Sequence, residues 1–552
     1  MKSGWIDRLN IFIRADKYTM TAFLISLIFA IIFSIFSVIQ YYSLGVSAYD
    51  LGINAQELWG FIHTGSFYTP LLNENLLIEH FTIFKFVQIP LYYLFPSPIT
   101  LMIFEDIFIA LAGYIVYLIA IEILKNRISS KRILFVISLI LLFSYEMSPY
   151  VQSLVSFPFH NMAFLPFFFL LAFYSFLTEK RALQLISILF IISLHANFVY
   201  IVAILIVYEF FYLHTENGKK IKTWIYKNSR AGGVRDFIIM VIFIALLYGY
   251  LVLAGIVKLH LAGISSYSLI PSTGEVGTSI TSPIILLKIL VTDPRKLLNI
   301  ISINRASKTF FLNLMFKSTG YLPLFSPLSL IMDIPYILYA LPSSYTSYYQ
   351  LGYQYSAMII GAIYISAIIG LNNILRLYEF INRKYGKQGY KLMVPKKAKK
   401  PMTAVVFFII IVIMIATVLP YGLMAPVQIE NTPSREQMND IFTEHISGAP
   451  EYLKHISNSM PQNSYILTEN SLMPYFSNHL HIYVASSLPG YYNNLSKFQY
   501  IIIQNNSFWA TYGGSHSLQT ITDNVIANGS FTVIGTYKAE GIIELENSSM
   551  EH

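Results

Sequence analysis

Repeated apolar runs of membrane-spanning length constrain this chain more than any other feature. A run of about twenty apolar residues crosses the hydrocarbon core of a bilayer as a helix. The clearest of these runs cover residues 18–42, 99–124, 133–149, 162–177, 237–257, 356–371 and 403–419. The sequence therefore predicts a polytopic α-helical membrane protein with about 11 spans. We expect a multi-span domain over 1–419 and a second domain over 420–552.

The placement of lysine and arginine predicts the orientation. Basic residues cluster at the N-terminus and at 125–132, 180–181, 219–235 and 376–400. Cytoplasmic loops carry an excess of such residues, so these clusters predict a cytoplasmic N-terminus in the plasma membrane. The first loop, 43–98, and the segment after Pro420 are then outside. That last segment contains all four Asn-x-Ser/Thr sequons, at Asn494, Asn505, Asn528 and Asn547, as glycosylation on the exported side requires.

The C-terminal segment differs from the rest of the chain in charge and in pattern. Residues 420–552 hold four Lys and Arg against eleven Asp and Glu, although the whole chain has a net charge of +8. The positive charge therefore belongs to the cytoplasmic loops, which face an anionic leaflet, and does not indicate a nucleic-acid partner. A helix at 449–457 and short apolar runs at 464–467, 481–484, 500–503, 531–534 and 541–545 predict a small extracytoplasmic α/β domain.

Residues 182–213 form an unusual apolar segment, because both of its ends are basic. It is too short for two full spans. We interpret it as two short helices that turn at His195-Ala196-Asn197, which would bring these polar groups toward the outer face. One long tilted helix is the alternative.

The first loop concentrates ionisable groups in an otherwise apolar chain: Asp50, Glu57, His63, Glu74, Glu79 and His80. Asp50 follows the first span closely, so it is a candidate general base or cation ligand at the bilayer edge. Capping of a short helix at 54–61 is its structural alternative. Glu79 and His80 open the apolar stretch 81–95, which Pro90 interrupts. Its length fits an interfacial or half-inserted helix.

Further polar groups are predicted to converge on the same outer face. Glu105 and Asp106 lie inside the next span, where acids are costly unless they point into the bundle. His160 opens another helix on that side, and His195 marks the turn described above. Topology therefore predicts one cavity that Asp50, Glu79, His80, Glu105, Asp106, His160 and His195 share.

Several motifs resemble the uncharacterised membrane-protein family called domain of unknown function 2079. They include Tyr49-Asp50-Leu51-Gly52, Glu79-His80-Phe81, Phe159-His160, Gly320-Tyr321-Leu322-Pro323 and Met460-Pro461. That family resembles the GT-C membrane glycosyltransferases, which use a polyprenyl-phosphate sugar donor and an acidic base in the first outer loop. The resemblance implies a GT-C-like fold, with Asp50 as the base and Glu79 and His80 beside it.

The chain departs from the family pattern at two places. Pro158-Phe159-His160-Asn161-Met162 stands where the family usually has Asp-Phe-His-Pro-Glu, and His195-Ala196-Asn197 replaces Lys-Glu-Asp. A leaving phosphate needs positive charge opposite it. His80, His160, His195 or Arg305 could supply this charge, with Glu105 and Asp106 lining the substrate site. A divalent cation, Mg²⁺ or Mn²⁺, on Asp50 and Glu79 is the alternative.

Three functions remain open from the sequence. The first is a transferase that moves a sugar from a polyprenyl-phosphate carrier in the membrane lipid to an exported acceptor. The second is a catalytically silent envelope or assembly protein of the same fold, favoured by the missing family acids. The third is a transporter or flippase, for which the intramembrane Glu105 and Asp106 would line the pathway.

Overall fold

The structure, a computed structural model, describes residues 16–75, 77, 81–215, 233–262, 288–289, 291–343, 345–385, 447–484, 495–504 and 525–549. Helices dominate these residues up to 385. They are α1 Lys17–Tyr42, α2 Ile53–Thr64, α3 Lys85–Leu94, α4 Pro98–Leu124, α5 Lys131–Glu146, α6 Pro149–Ser156, α7 Leu165–Leu177, α8 Arg181–Leu194, α9 Val199–Leu213, α10 Gly233–Ala262, α11 Pro294–Ser302, α12 Arg305–Ser318, α13 Ile334–Ala340 and α14 Ala357–Tyr385. A short hairpin follows α2, and its two strands, β1 Tyr68–Thr69 and β2 Glu74–Asn75, have two residues each.

Several predicted spans coincide with long apolar helices. Among the described residues, five helices are long and apolar enough to cross a membrane: α1, α4, Ala196–Leu213, Phe237–Lys258 and Gln354–Phe380. α5 and α6 form one further candidate, bent by 43° at their junction. The predicted span at 403–419 lies outside the described residues, so the count of about 11 stays a prediction.

The segment between residues 181 and 213 confirms the predicted break. α8 ends at Leu194, a short 3-10 turn covers Ala196–Phe198, and α9 begins at Val199. The backbone at His195 is extended, with φ −164° and ψ 130°, which interrupts the helical path. One continuous tilted helix is therefore wrong for this segment.

The side of α1 that faces away from the other helices is apolar and suited to a lipid environment. Leu24, Ile28, Ile31 and Ile35 are exposed, and their spacing places them along one side of the helix. The opposite side carries buried residues and packs along α4. An exposed apolar stripe of this kind is suited to lipid contact.

Helix α3 has its polar side chains inside and its apolar side chains outside. Lys85, Gln88 and Tyr92 are buried and lie on one face, at helical spacings of three and four residues. Tyr93 and Leu94 are exposed. The predicted helix in 81–95 is thus confirmed as ten residues that include Pro90, and its location at the membrane interface stays a prediction.

Side-chain caps and prolines set the ends of the bundle helices. The Ser130 hydroxyl accepts a hydrogen bond from the backbone N–H of Ile133 at the start of α5. Pro98 and Pro149 occupy the first turns of α4 and α6, where a missing N–H costs no helical hydrogen bond. α4 lies centrally, in contact with α1, α5, α7 and α14.

The C-terminal domain, defined here as the described residues from Ser447 to Ser549, contains one mixed sheet. Helix α15 Ala449–Ser459 precedes β3 Tyr465–Thr468, β4 His481–Val484, β5 Tyr500–Gln504, β6 Phe531–Tyr537 and β7 Ile542–Asn547. The strand order is β4-β3-β5-β7-β6. β3 pairs in parallel with β4 and β5, whereas β7 is antiparallel to β5 and β6. The five predicted strands and the predicted helix are confirmed.

Alternating residues of the central strands pack on the two faces of this sheet. Ile466 and Ile502 join the large core that also contains the bundle helices. Leu467, Ile501 and Ile503 belong to a separate apolar cluster on the other face. The large core is continuous from the bundle into the domain, so the C-terminal domain packs directly on the helical part.

The asparagine of the sequon at Asn547 has a structural role. Asn547 is 3% exposed, and its Nδ2 atom donates hydrogen bonds to the carbonyl oxygens of Ser496 and Phe498. A glycan on that nitrogen would remove these bonds and would not fit a buried site. Asn528 is exposed in its turn, whereas Asn494 and Asn505 lie outside the described residues.

Candidate functional site

Asp50 lies in a strained turn directly after the first span. The turn covers Ala48–Gly52 and is called the Asp50 turn below. Asp50 has φ 67° and ψ −76°, a region that non-glycine residues rarely adopt. Such a conformation costs about 1–3 kcal/mol and persists only where neighbouring contacts over-determine it. The Asp50 side chain is 28% exposed, so its carboxylate can meet a ligand.

His160 is aimed at the Asp50 carboxylate. Its Nε2 atom lies 3.4 Å from Oδ1 of Asp50, and its side chain is 11% exposed. Its Nδ1 atom accepts a hydrogen bond of 3.0 Å from the backbone N–H of Met162. Because Nδ1 accepts, the neutral ring carries its proton on Nε2, on the side of Asp50. At 3.4 Å the pair is longer than a strong hydrogen bond.

Glu105 and Asp106 lie behind this pair, on α4. Glu105 Oε1 accepts a hydrogen bond of 3.2 Å from the backbone N–H of His160, which fixes the start of the turn that carries the imidazole. Both acids are buried. Asp106 also lies against the Ser37 hydroxyl of α1. The structure therefore brings Asp50, His160 and Glu105 together, with Asp106 next to Glu105 on the same helix, and the shared cavity stays a prediction.

His195 has the same local arrangement as His160 at the break between α8 and α9. Its Nδ1 atom accepts a hydrogen bond of 3.0 Å from the backbone N–H of Asn197. Its ring stacks on Phe198, with centroids 5.3 Å apart. The next residue, Ala196, packs against α10. The structure thus gives His195 a capping role beside α10.

No described contact tests the other predicted site residues. Glu79 and His80 lie outside the described residues. Arg305 is exposed at the start of α12, and no ion pair joins it to any residue that the structure describes. The roles predicted for these three residues stay predictions.

A buried lysine stands one turn after Arg305 and was not apparent from the sequence. The Lys308 ammonium donates hydrogen bonds to the carbonyl oxygens of Leu341, at 2.6 Å, and Ile301, at 3.4 Å. It also lies over the ring of Tyr349. Burial lowers the pKa of Lys308 to about 8. Because Ile301 and Leu341 end α11 and α13, the contacts favour a role in fixing two helix C-termini.

A family model described as "Predicted membrane protein (DUF2079)" matches residues 40–543. The chain belongs to this family. No curated protein shows a significant match to it. Two similar solved structures are crystal structures of ArnT from Cupriavidus metallidurans. The form bound to undecaprenyl phosphate is 11% identical to this chain, with a TM-score of 0.36, and the match covers 94% of this chain and 98% of the ArnT chain. The apo form is 10% identical, with a TM-score of 0.43, and the match covers 93% of this chain and 96% of the ArnT chain.

Three buried amides link α3 to the Asp50 turn in this DUF2079 protein, and none of these links was predicted from the sequence. Gln88 donates to Asn161, Asn161 donates to Asn54, and Asn54 donates to the carbonyl oxygen of Asp50. Gln88 belongs to the polar face of α3. The helical spacing of Lys85, Gln88 and Tyr92 on that face is visible in the sequence. The pairing of Asn161 with Asn54, 107 residues apart, has no local signal.

A buried ion pair supports the same part of the DUF2079 chain. Lys85 Nζ lies 2.5 Å from Oε2 of Glu57, and the two side chains are 5% and 0% exposed. This pair joins α3 to α2. Glu57 was recognised as one of the ionisable residues of the first loop, but its partner Lys85 was not predicted.

The C-terminal domain contacts the Asp50 turn from the other side. The backbone N–H of Ala48 donates to the carbonyl oxygen of Asn470, at 2.7 Å, and to its Oδ1 atom, at 3.0 Å. Asn478 accepts a hydrogen bond from the Tyr92 hydroxyl and donates one to the carbonyl oxygen of Pro96. The DUF2079 site is therefore assembled from the first loop, α4, the start of α7 and the C-terminal domain.

Within the described residues, no group of three or more His, Asp or Glu side chains is arranged to bind a metal ion. Asp50 and His160 supply two candidate ligand atoms, and Glu79 lies outside the described part of the chain. A divalent cation on Asp50 and Glu79 remains a prediction from the sequence.

Proposed function

We propose that this DUF2079 protein is a membrane glycosyltransferase of GT-C type. It would move a sugar from a polyprenyl-phosphate carrier to a hydroxyl group of an exported acceptor, at the outer face of the plasma membrane. The observation that carries the proposal is the pairing of a strained, partly exposed Asp50 with the Nε2 atom of His160. Backbone strain of this kind clusters at active sites, where surrounding contacts maintain it.

The proposed reaction uses Asp50 as the general base. The acceptor hydroxyl oxygen forms a bond to the anomeric carbon of the sugar, and the Asp50 carboxylate takes the hydroxyl proton. The bond from that carbon to the phosphate oxygen breaks, and the lipid phosphate leaves with the electron pair. His160 keeps the Asp50 carboxylate oriented through its Nε2 atom, and Glu105 keeps His160 in place.

The surroundings of Asp50 support a lipid-linked substrate. Asp50 follows α1, which is long and apolar enough to span a membrane. Helix α3, which is linked to the turn through its buried polar face, exposes Phe86, Tyr93 and Leu94 on its other side. A lipid substrate could therefore approach along apolar surface while its headgroup reaches a carboxylate.

Asp50→Asn tests the proposal directly. The purified full chain, reconstituted in vesicles, is offered polyprenyl-phosphate sugars and acceptor peptides or glycans. Loss of a general base lowers the rate by about 10²–10⁴-fold, and the melting temperature should not change. Asp293→Asn is the matched control, because Asp293 is an exposed helix cap and asparagine caps equally well. If Asp50→Asn transfers at the rate of the unchanged protein, the catalytic proposal fails.

A catalytically silent envelope or assembly protein is the second candidate. Pro158 and Met162 stand where the family pattern has acids, and neither side chain can accept a proton or bind a cation at neutral pH. This alternative predicts that the unchanged protein transfers no sugar from any donor while its fold remains stable.

The proposed orientation can be tested separately, because the chain contains no cysteine. Ser129→Cys and Asn528→Cys each place one thiol at an exposed position. A membrane-impermeant maleimide should label Asn528→Cys on intact cells and Ser129→Cys only after permeabilisation. Labelling of Ser129→Cys on intact cells would contradict the predicted topology.

A further inference from the structure

The three amides that end at Asp50 form an unbroken hydrogen-bond chain. Gln88 Nε2 donates to Asn161 Oδ1 at 2.7 Å, and Asn161 Nδ2 donates to Asn54 Oδ1 at 3.0 Å. Asn54 Nδ2 then donates to the Asp50 carbonyl oxygen at 2.6 Å. All three side chains are less than 9% exposed. Water therefore cannot readily replace these bonds.

The donor-to-acceptor direction of these hydrogen bonds follows from the chemistry of the last one. The Asp50 carbonyl oxygen can only accept a hydrogen bond, so Asn54 must present its NH₂ group to it. Its Oδ1 atom is then left facing Asn161, which must donate in turn, and the same reasoning applies to Gln88. The orientation of each amide is thus fixed by the backbone of Asp50 and does not depend on an arbitrary choice between O and N.

The last link acts on the strained torsion angle. The direction of the Asp50 carbonyl is set by its ψ angle, which is −76°. A hydrogen bond of 2.6 Å from a buried donor opposes rotation of that carbonyl toward a relaxed conformation. Asn54 lies on α2, Asn161 follows His160, and Gln88 lies on α3, so three separate elements restrain one peptide group.

We propose that Gln88, Asn161 and Asn54 are positioning residues for Asp50. They keep the Asp50 turn in the conformation that presents its carboxylate to the acceptor hydroxyl, and they do not touch the substrate themselves. The functional part of this proposal rests on the function proposed above, whereas the restraint of the turn can be measured without any activity.

Gln88→Leu removes the amide at the far end of the hydrogen-bond chain, and Gln40→Leu is its matched control. Both glutamines are buried, and each donates one hydrogen bond through Nε2. In both, Oε1 has no hydrogen-bond partner among the described residues. Gln40 donates to the carbonyl oxygen of Ser156 and is not part of the amide chain.

Two measurements are made on the full chain in vesicles. The first is the rate of sugar transfer, divided into kcat and KM for the polyprenyl-phosphate sugar. The second is hydrogen–deuterium exchange in a peptide that contains the amide of Gly52, which is bonded to the Ser47 carbonyl oxygen. For Gln88→Leu we expect kcat to fall about tenfold with an unchanged KM, and exchange at the turn to rise about tenfold. Gln40→Leu should change neither.

The outcomes separate the two proposals. If Gln88→Leu leaves exchange at the turn unchanged, or if Gln40→Leu accelerates it equally, the positioning role is wrong. Faster exchange with an unchanged kcat would also overturn that role. If the unchanged protein transfers no sugar, the proposed function fails, and exchange alone decides whether the chain restrains the turn. Should Gln88→Leu not fold, Asn54→Ala removes the last link with a residue that suits α2, and the same kcat loss is expected.

Discussion

The sulfur atom of Met473 lies directly against Gly52, so that a β-carbon at position 52 would overlap it. Gly52 has φ −61°, an ordinary helical value. Its lack of a side chain is therefore required by this close approach and not by its backbone conformation. One residue, Leu51, separates it from Asp50, and the contact joins the C-terminal domain to the Asp50 turn.

Gly52→Ala should disturb both stability and sugar transfer. The added methyl group overpacks the contact, which we expect to destabilise the fold by about 1–3 kcal/mol, and it displaces the turn that carries Asp50. Thermal unfolding and transfer assays check the change. Met473→Ala itself loses about 2–5 kcal/mol of buried packing, but in that background Gly52→Ala should cost little more, because the atom that the methyl group meets is gone. If Gly52→Ala costs as much in the Met473→Ala background as in the unchanged protein, Met473 is not the cause.

His160 has two separable contacts, and two substitutions distinguish them. His160→Asn keeps a side-chain acceptor for the Met162 N–H but loses the ring that faces Asp50. We expect near-normal stability and a rate of transfer about 10²-fold lower. His160→Ala should also lose about 0.5–2 kcal/mol of unfolding free energy, since the cap is gone. Unfolding curves and rates measured on both variants provide the check. A full rate in His160→Asn would show that the imidazole is not needed.

Much of the architecture could be predicted because it depends on local pattern. Long apolar runs predicted the long helices, and short apolar runs in the C-terminal domain predicted its five strands. The break at His195 was predictable because an apolar segment with two basic ends cannot easily be one span. In the same way, the acids Glu105 and Asp106 were expected inside the bundle, where they are found.

The supports of Asp50 could not be predicted, because they join residues that are distant in sequence. Ala48 binds Asn470, 422 residues later, and Asn161 binds Asn54 across 107 residues. Asp50 itself takes the unusual torsion angles of its turn, and Gly52 serves a packing contact with Met473. The sequon at Asn547 misled for the same reason, since a three-residue motif carries no information on burial.

Lys85→Met should be among the most destabilising single changes in the first loop. It leaves Glu57, which is fully buried, without the cation 2.5 Å away. Removing one partner of a buried ion pair costs about 3–5 kcal/mol, because an uncompensated charge stays in a medium of low dielectric constant. Chemical denaturation of the full chain in detergent micelles measures the loss.

Two further variants test that explanation. Lys85→Met with Glu57→Gln should recover much of the loss, since the remaining charge is also removed. Lys125→Met breaks the exposed pair between Lys125 and Glu122, and its effect should stay within about 0.5 kcal/mol. Equal losses from Lys85→Met and Lys125→Met would show that burial is not the source of the effect.

We expect His479 to make the stability of the C-terminal domain sensitive to acid. It is 2% exposed, its Nε2 atom lies 3.1 Å from the Ser457 hydroxyl, and its carbonyl oxygen accepts a hydrogen bond from Gln56. Burial lowers the pKa of His479 below its ordinary value of 6.5, so the folded state binds the proton less readily than the unfolded state. The stability that this neutral ring contributes is present above pH 6.5 and is lost as the pH falls toward the folded pKa.

The melting temperature of the full chain should therefore fall as the pH is lowered from 7.5 to 5, a range that extends about one unit or more on either side of the ordinary histidine pKa. His479→Gln should make this decrease smaller. Glutamine can still bond to Ser457 but cannot take up a proton in this range. His481→Gln is the comparison from the same domain: burial and the charge of Lys497 also lower the pKa of His481, but its ring is partly exposed and stacks on Tyr465. Solvent reduces the cost of charging such a ring, so His481→Gln should flatten the slope less than His479→Gln does. A slope that persists in His479→Gln and disappears in His481→Gln would reverse the assignment.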